Sequence, residues 1–447
     1  MTSILIKGGT LLTMAEDGRA FQGNLLIVND RIVEVATNES VADQIIDASG
    51  CVVLPGFVQT HIHLCQTLFR GAADDLSLID WLKKRVWPME AAHTPESVRV
   101  SAQLGVAELI KGGTTCALTM ETVSHTSEVF KVIEETGFRA TVGKCMMDKG
   151  EEVPSALREQ TQNSIAESVA LLDQWHEKAN GRIRYCFAPR FAVSCTRELL
   201  QDVARLARER KVLIHTHASE NRSECKIVED ETGLSNVAYL DSLSLTGADV
   251  VLAHCVHLST HELELLRESN TNVSHCPSSN LKLGSGIAPV VDLLNNDIRV
   301  SLGADGAACN NRLDMFTEMR TAALLQKVIH GPEALDAKRV LKMATIDGAR
   351  SIGLADQVGS LEIGKRADVT IVRLGQLHNS PSVLDPVSTL VYSAQASDVE
   401  TVLIDGEFVM RDRKLLKMDE SQILSDSEEQ AARLFRRAGV KCVGDDS

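Results

Sequence analysis

The stretch Leu54-Pro55-Gly56-Phe57-Val58-Gln59-Thr60-His61-Ile62-His63 is an apolar run that ends in two histidines two positions apart. Side chains alternate along an extended strand, so both imidazoles lie on one face and can reach one ion. A strand that carries such groups at its carboxyl end is how a (β/α)8 barrel builds a site, on the rim where the βα loops gather. Three more runs end in the same way. Lys211-Val212-Leu213-Ile214 leads into His215, Thr216 and His217, with Glu220 three residues further on. Val250-Val251-Leu252-Ala253 leads into His254, and Val300-Ser301-Leu302-Gly303-Ala304 leads into Asp305.

A lone His or Asp at a strand end is usually a cap or a core hydrogen bond, and a pair of histidines is more often surface or core than ligand. Four such endings in series favour a metal centre. His215 shares the strand face of His217 and competes with it as a ligand; we read it as a hydrogen-bonded barrel residue. His257, His261 and His275 are read as structural or exposed. Cys255, Cys276 and Cys309 lie close to strand ends and are given no role, because small apolar residues pack well there. Nitrogen and oxygen donors without thiolate suit Zn²⁺, and also Fe²⁺ or Mn²⁺. A Glu just beyond such a site, as Glu220 is, suits general acid and base work.

Eight apolar, β-branched runs end near His61, Thr119, Met146, Pro189, His217, His254, His275 and Asp305, most of them separated by stretches of helical period. Strands alternating with helices imply βαβ units, and the count of eight favours a closed barrel over an open sheet. Connecting helices are expected at Pro95 to Lys111 after a Thr94 cap, Glu198 to Arg210 after a Thr196 cap, and His261 to Glu268 after a Thr260 cap. Residues 3 to 55 alternate apolar and polar positions between turn signals, as short antiparallel strands do, and the texture returns in Ala367 to Val372 and Thr401 to Val409. The expected fold is therefore α/β: a (β/α)8 TIM-type barrel over 56–357, with a small β-sandwich from 1–55 and 358–415. Residues 416–447 are expected to form a surface helix, periodic from Ala431 to Arg437, and a frayed tail.

The 447 residues suit one barrel with an accessory module. No run approaches the roughly 18 apolar residues of a membrane span, and Met1 to Lys7 lacks the pattern of a secretory signal. Eleven cysteines, an odd number with no Cys-x-x-Cys pair, point to reduced thiols and a cytoplasmic setting. A net charge of −15 opposes nucleic-acid binding and serves solubility.

At these residues the sequence resembles the amidohydrolase superfamily, in the branch of purine and triazine aminohydrolases with a single metal. The resemblance runs through Leu54 to His63, Gly112-Gly113-Thr114-Thr115, His217 to Glu220, Ala253-His254-Cys255, Cys276-Pro277-Ser278-Ser279-Asn280-Leu281, Gly303 to Asn311, and Val358 to Asp368. It implies that His61, His63, His217 and Asp305 bind one divalent metal, most simply Zn²⁺. It also implies that Glu220 shuttles protons, that Asp305 takes the proton of the attacking water, and that His254 assists the hydroxide or the substrate. The reaction implied is attack on an amidine-type ring carbon with loss of ammonia. The His-x-Glu with Pro-Cys-x-x-Cys signature of an unrelated zinc deaminase class is absent.

Two substrate readings compete. Trp81 to Glu90 is similar to the stretch by which methylthioadenosine and adenosylhomocysteine deaminases hold ribose, with Glu90 as the carboxylate; a solvated helix-end Glu is the plainer reading. Arg190, in Phe187-Ala188-Pro189-Arg190-Phe191, stands where those enzymes usually have His. Guanine deaminases carry a similar Pro-Arg-Phe, and a Gln in the position of Gln66, so Gln66 and Arg190 could read a purine edge. The expectation is deamination of an adenine nucleoside of the 5′-deoxyadenosine, methylthioadenosine or adenosylhomocysteine kind to its inosine counterpart. Deamination of guanine or another free aminopurine, pterin or triazine is the alternative, followed by hydrolysis of a triazine carbon–chlorine bond. A catalytically dead barrel acting as a scaffold has no support, since every expected ligand is present. Expected partners are a small-molecule substrate and further copies of the chain, as a dimer or tetramer, with neither nucleic acid nor membrane.

Overall fold

The structure, a computed structural model, describes residues 2–16, 18–382 and 384–441. Eight parallel strands form the barrel: Phe57–His63, Thr114–Met120, Arg139–Gly143, Ile183–Pro189, Leu213–Ala218, Val250–His254, Asn272–His275 and Val300–Leu302. The last resumes as Asp305–Gly306, which pairs with Ile62 and His63 of the first and closes the ring. The break falls at Gly303, where a Cβ would stand 2.7 Å from the His61 carbonyl oxygen, so only glycine lets the eighth strand pass this close to the first.

Alternation explains the barrel's filling. The Thr60 hydroxyl bonds to those of Ser274 and Ser301 at 2.7 and 2.8 Å, and the histidines lie nearer the carboxyl ends. Outside, helices lay their apolar faces on the strands. In Pro95–Lys111 the Thr94 hydroxyl accepts from the Ser97 amide, and Val98, Ala102, Val106 and Leu109 are buried. The helix expected from His261 starts earlier, spanning Thr260–Ser269. Its cap is Ser259, not Thr260, because Ser259 and Glu262 close a reciprocal capping box.

The chain ends build one nine-stranded sheet. It is not wholly antiparallel as expected: Ser3–Leu12 runs parallel to both Gln44–Asp47 and Cys51–Pro55, because the connections between them are long enough to cross over. The sheet curls over its own core, bringing Ile32 and Phe408 from its two ends into one apolar cluster. The chain leaves this sheet at Pro55 and enters the barrel at Phe57. The two parts are joined by fully buried Arg139, which donates to Asp368 at 2.8 and 3.0 Å and to Asp405 at 2.5 Å.

The C-terminal helix is longer and more deeply engaged than its period suggested. It runs Glu420–Ala438 from an Asp419 cap and buries Ile423, Ser427 and Leu434. Leu434 joins Phe69, Leu78, Trp81 and Trp87 in an apolar cluster above the barrel rim. No described helix is long and apolar enough to cross a membrane. The ten described cysteines are free; Cys442 lies outside the described residues.

Candidate active site

Four side chains converge at the carboxyl ends of the first, fifth and eighth strands. One ligand-type atom from each of His61, His63, His217 and Asp305 lies within 4.8 Å of all the others. Nε2 of His61 and Nε2 of His63 stand 3.3 and 3.2 Å from one oxygen of Asp305, and the His63 and His217 Nε2 atoms are 3.3 Å apart. Two ring nitrogens at that distance cannot both carry protons without repulsion, so their lone pairs suit a shared cation. The far side of each ring fixes this tautomer. His63 Nδ1 donates to the Met120 carbonyl at 2.7 Å and His217 Nδ1 to the Arg190 carbonyl at 2.6 Å. His61 Nδ1 meets His215 Nε2 at 2.7 Å, and His215 in turn bonds the Val251 carbonyl at 3.1 Å. His215 thus supports a ligand from behind.

The donor set fits a divalent ion. His61 Nε2 is buried and has no hydrogen-bond partner, and a single carboxylate supplies the only anion among the four groups. Burial pulls the His61 imidazolium down to about 4 against the attraction of Asp305. Burial opposes the Asp305 anion too, but the His61 and His63 rings outweigh it and hold the carboxyl well below the usual range.

Around this cluster stand the proton-handling groups. His254 Nε2 lies 3.6 Å from a Glu220 oxygen and 3.8 Å from Asp305. Its Nδ1 is held at 2.8 Å by the side-chain amide oxygen of Asn280. The second oxygen of Asp305 accepts from Ser279 Oγ at 2.6 Å. Burial, then the nearby Asp305 charge, pushes the Glu220 carboxyl well above the ordinary range. Its backbone amide donates at 2.8 Å to Glu224, which is itself buried and held by Asn236 at 2.7 Å. Ser279, Asn280 and Glu224 had no assigned role in the sequence reading. The first two lie inside a quoted motif, and Glu224 completes an Asn-x-x-Glu capping box that its spacing could have revealed.

Gln66, Glu90 and Arg190 also come together. Glu90 is not a solvated helix-end residue: it is buried, accepts from Arg190 at 2.5 and 3.3 Å, and accepts from Gln66 Nε2 at 2.9 Å. Gln66 is in turn pressed against Gly306, where a Cβ would meet its Oε1 at 2.2 Å. Arg190 therefore serves twice, its carbonyl orienting His217 and its guanidinium pairing with Glu90. His63, His217, Asp305, Glu220 and Arg190 line a small cavity of about 20 Å³, walled otherwise by Leu78, Trp81, Leu82, Phe191 and Leu283. A roomier cleft of about 810 Å³ lies elsewhere, between Glu108, Arg312, Phe316 and Arg413, and contains none of the clustered ligands. Chemistry places the candidate site at the smaller one.

The sequence matches the model of the amidohydrolase family over residues 52–409. The chain belongs to that family. This amidohydrolase is 43% identical to a 5′-deoxyadenosine deaminase of Methanobrevibacter smithii, over 94% of this chain and 95% of that protein. It is 40% identical to a 5-methylthioadenosine/S-adenosylhomocysteine deaminase of Desulforudis audaxviator, over 97% of this chain and 99% of the relative. Among solved structures it resembles a zinc-bound adenosine deaminase from Xanthomonas campestris, with a TM-score of 0.92 and 32% identity over 97% of this chain and 99% of that one.

Proposed function

We propose that this amidohydrolase uses zinc, held by His61, His63, His217 and Asp305, to deaminate an adenine nucleoside of the 5′-deoxyadenosine, methylthioadenosine or adenosylhomocysteine kind. The products are the inosine counterpart and ammonia. The observation that carries the reading is near-full-length similarity to deaminases of such nucleosides, joined to a buried Glu220, His254 and Asp305 around one ligand cluster.

A bound divalent ion supplies Lewis acidity, lowering the pKa of water and polarising the reacting carbon's substituent. The protein groups then divide the proton work. Asp305, aimed by Ser279, accepts the proton of the attacking water. Glu220, whose neutral form burial favours, gives its proton to the ring nitrogen and makes the ring carbon electrophilic; it then takes back the proton of the added hydroxyl, while the proton held by Asp305 passes to the departing amino group, which leaves as ammonia. His254, anchored by Asn280, stands between the two carboxyls and stabilises the charge that develops. Arg190 lines the cavity with Glu90 and Gln66 bonded behind it, and the guanidinium N–H groups that Glu90 leaves free suit a purine nitrogen or a ribose hydroxyl.

The test is an ultraviolet time course with zinc-loaded protein, 5′-deoxyadenosine in one cuvette and guanine in another. Loss of the adenine chromophore with ammonia release is expected. Turnover of guanine alone would assign Gln66 and Arg190 to a free base and overturn the reading.

A further inference from the structure

The two oxygens of Asp305 face different ways. Oδ1 stands 3.3 and 3.2 Å from Nε2 of His61 and His63, on the side of the metal ligands, while Oδ2 accepts from Ser279 Oγ at 2.6 Å and lies 3.8 Å from His254 Nε2. One carboxyl thus serves both the ion and the proton transfers, and the division depends on how the chain around it is held. Resting on the proposed deamination, we infer that Glu318 is a positioning residue for the proton transfers. It clamps together the loops after the seventh and eighth strands and keeps Asp305 and His254 in register.

Glu318 lies one turn into the helix Met315–His330 and is fully buried. It accepts hydrogen bonds from neutral donors of both loops, the Ser278 amide at 3.2 Å and Asn310 Nδ2 at 2.9 Å. Burial opposes its charge and pushes the carboxyl up to about 7, while these bonds favour the anion.

Each arm ends beside the site. Ser278 precedes Ser279, which aims Oδ2, and Asn280, whose side-chain oxygen holds His254 Nδ1 at 2.8 Å. Asn310 Nδ2 also donates to the Ala304 carbonyl at 2.7 Å, next to Asp305, whose φ of 63° must be held against its preference. A single carboxylate so braces Asp305 through the backbone on one side and through Ser279 on the other. Without it the Oδ1 contacts with His61 and His63 remain, but Oδ2 loses its fixed aim.

Glu318→Gln keeps the shape but sets an amide N–H₂ in place of one oxygen, facing either the Ser278 N–H or the Asn310 N–H₂. Asn310 cannot turn over to compensate, since its own oxygen would then face the Ala304 carbonyl. The zinc-loaded full chain and this variant are compared with 5′-deoxyadenosine by loss of adenine absorbance, with zinc content measured alongside. The expected result is a kcat lower by about 10-fold or more, with KM and bound zinc within about two-fold of the parent. A smaller loss of kcat overturns the clamp, and so does a loss carried by KM or by missing zinc. In a Ser279→Ala background the same substitution should cost at least about threefold less, because both act on the aim of Oδ2; an equal cost in the two backgrounds marks a general loosening and overturns the proposal. Asn310→Ala, which cuts the other arm alone at a half-buried position, should lower kcat in the same pattern, and it carries the test where Glu318→Gln does not fold. Deamination of guanine and of no nucleoside overturns the substrate reading alone, and the comparison is then read on guanine; a zinc-loaded parent that deaminates neither overturns both.

Discussion

The Glu90–Arg190 pair makes the sharpest demand on the structure. Its contacts are short, 2.5 Å between Nη1 and Oε2 and 3.3 Å between Nη2 and Oε1, and the two side chains are only 1% and 5% exposed. Glu90→Gln leaves a buried guanidinium without its counter-charge, and Arg190→Met leaves a buried carboxylate. Each single change should cost about 3–5 kcal/mol, the penalty of an uncompensated buried charge. The double variant removes both charges at similar volume, so it should recover most of that loss. With singles of about 3–5 kcal/mol each and a double that costs little, the coupling between the sites comes to about 5 kcal/mol or more, well above the few tenths seen for independent positions. Urea unfolding of the zinc-loaded protein without substrate, at neutral pH, measures it. Zinc content should stay unchanged in Arg190→Met, since His217 is held by the backbone carbonyl at 190 and not by its side chain. Additive single effects would mean that the two charges are solvated apart, and the account of the cavity's flank would be wrong.

Ser279→Ala and Asn280→Ala each release one aimed group, Asp305 or His254, and should lower kcat about 10- to 100-fold with little change in KM; steady-state kinetics with a metal assay would expose a loss of zinc instead. Removing zinc with a chelator should abolish turnover and lower the melting temperature, both restored by added zinc; an unaltered melting curve would contradict a site of four buried ligands. Glu121 is buried near His63, accepts from the Cys65 amide at 2.9 Å, and has its carboxyl pushed up by burial to about 7. Between its unfolded value and 7 the folded chain holds a proton that the unfolded chain has lost, so stability falls as pH rises through this window and levels off above it. Glu121→Gln should remove that slope, and stabilise the zinc-free protein by about 3 kcal/mol above pH 7, read from urea midpoints across pH.

Much of this was legible because barrels announce themselves by period. The runs into His61, His217, His254 and Asp305 have the texture of buried strands that each end in a polar residue, and four such endings in series point to one site. Local capping was legible where a Ser or Thr stood alone, as at Thr94, and misread by a residue where Ser259 and Thr260 stood together. The depth of the C-terminal helix was not legible, because its charged composition hides the few apolar positions, Ile423 and Leu434, that reach the body. Nor could spacing reveal that Glu90 and Arg190, 100 residues apart, satisfy each other before any ligand arrives.

The site's geometry also depends on conformations that residue type argues against. Ser219, His254 and Asp305 all have positive φ, at 51°, 74° and 63°, in the left-handed region that L-residues avoid. Such residues cost about 1–3 kcal/mol each and persist only where neighbours over-determine them. Here the neighbours are identifiable: Asn280 grips His254, Ser279 grips Asp305, and the carbonyls of Ala218 and Ser219 accept from the Cys255 and Val256 amides that follow His254. The strain is thus the local condition for three chain segments to meet at one site, and the residues that hold two of them, Ser279 and Asn280, sit in a short helix of their own just beyond the seventh strand.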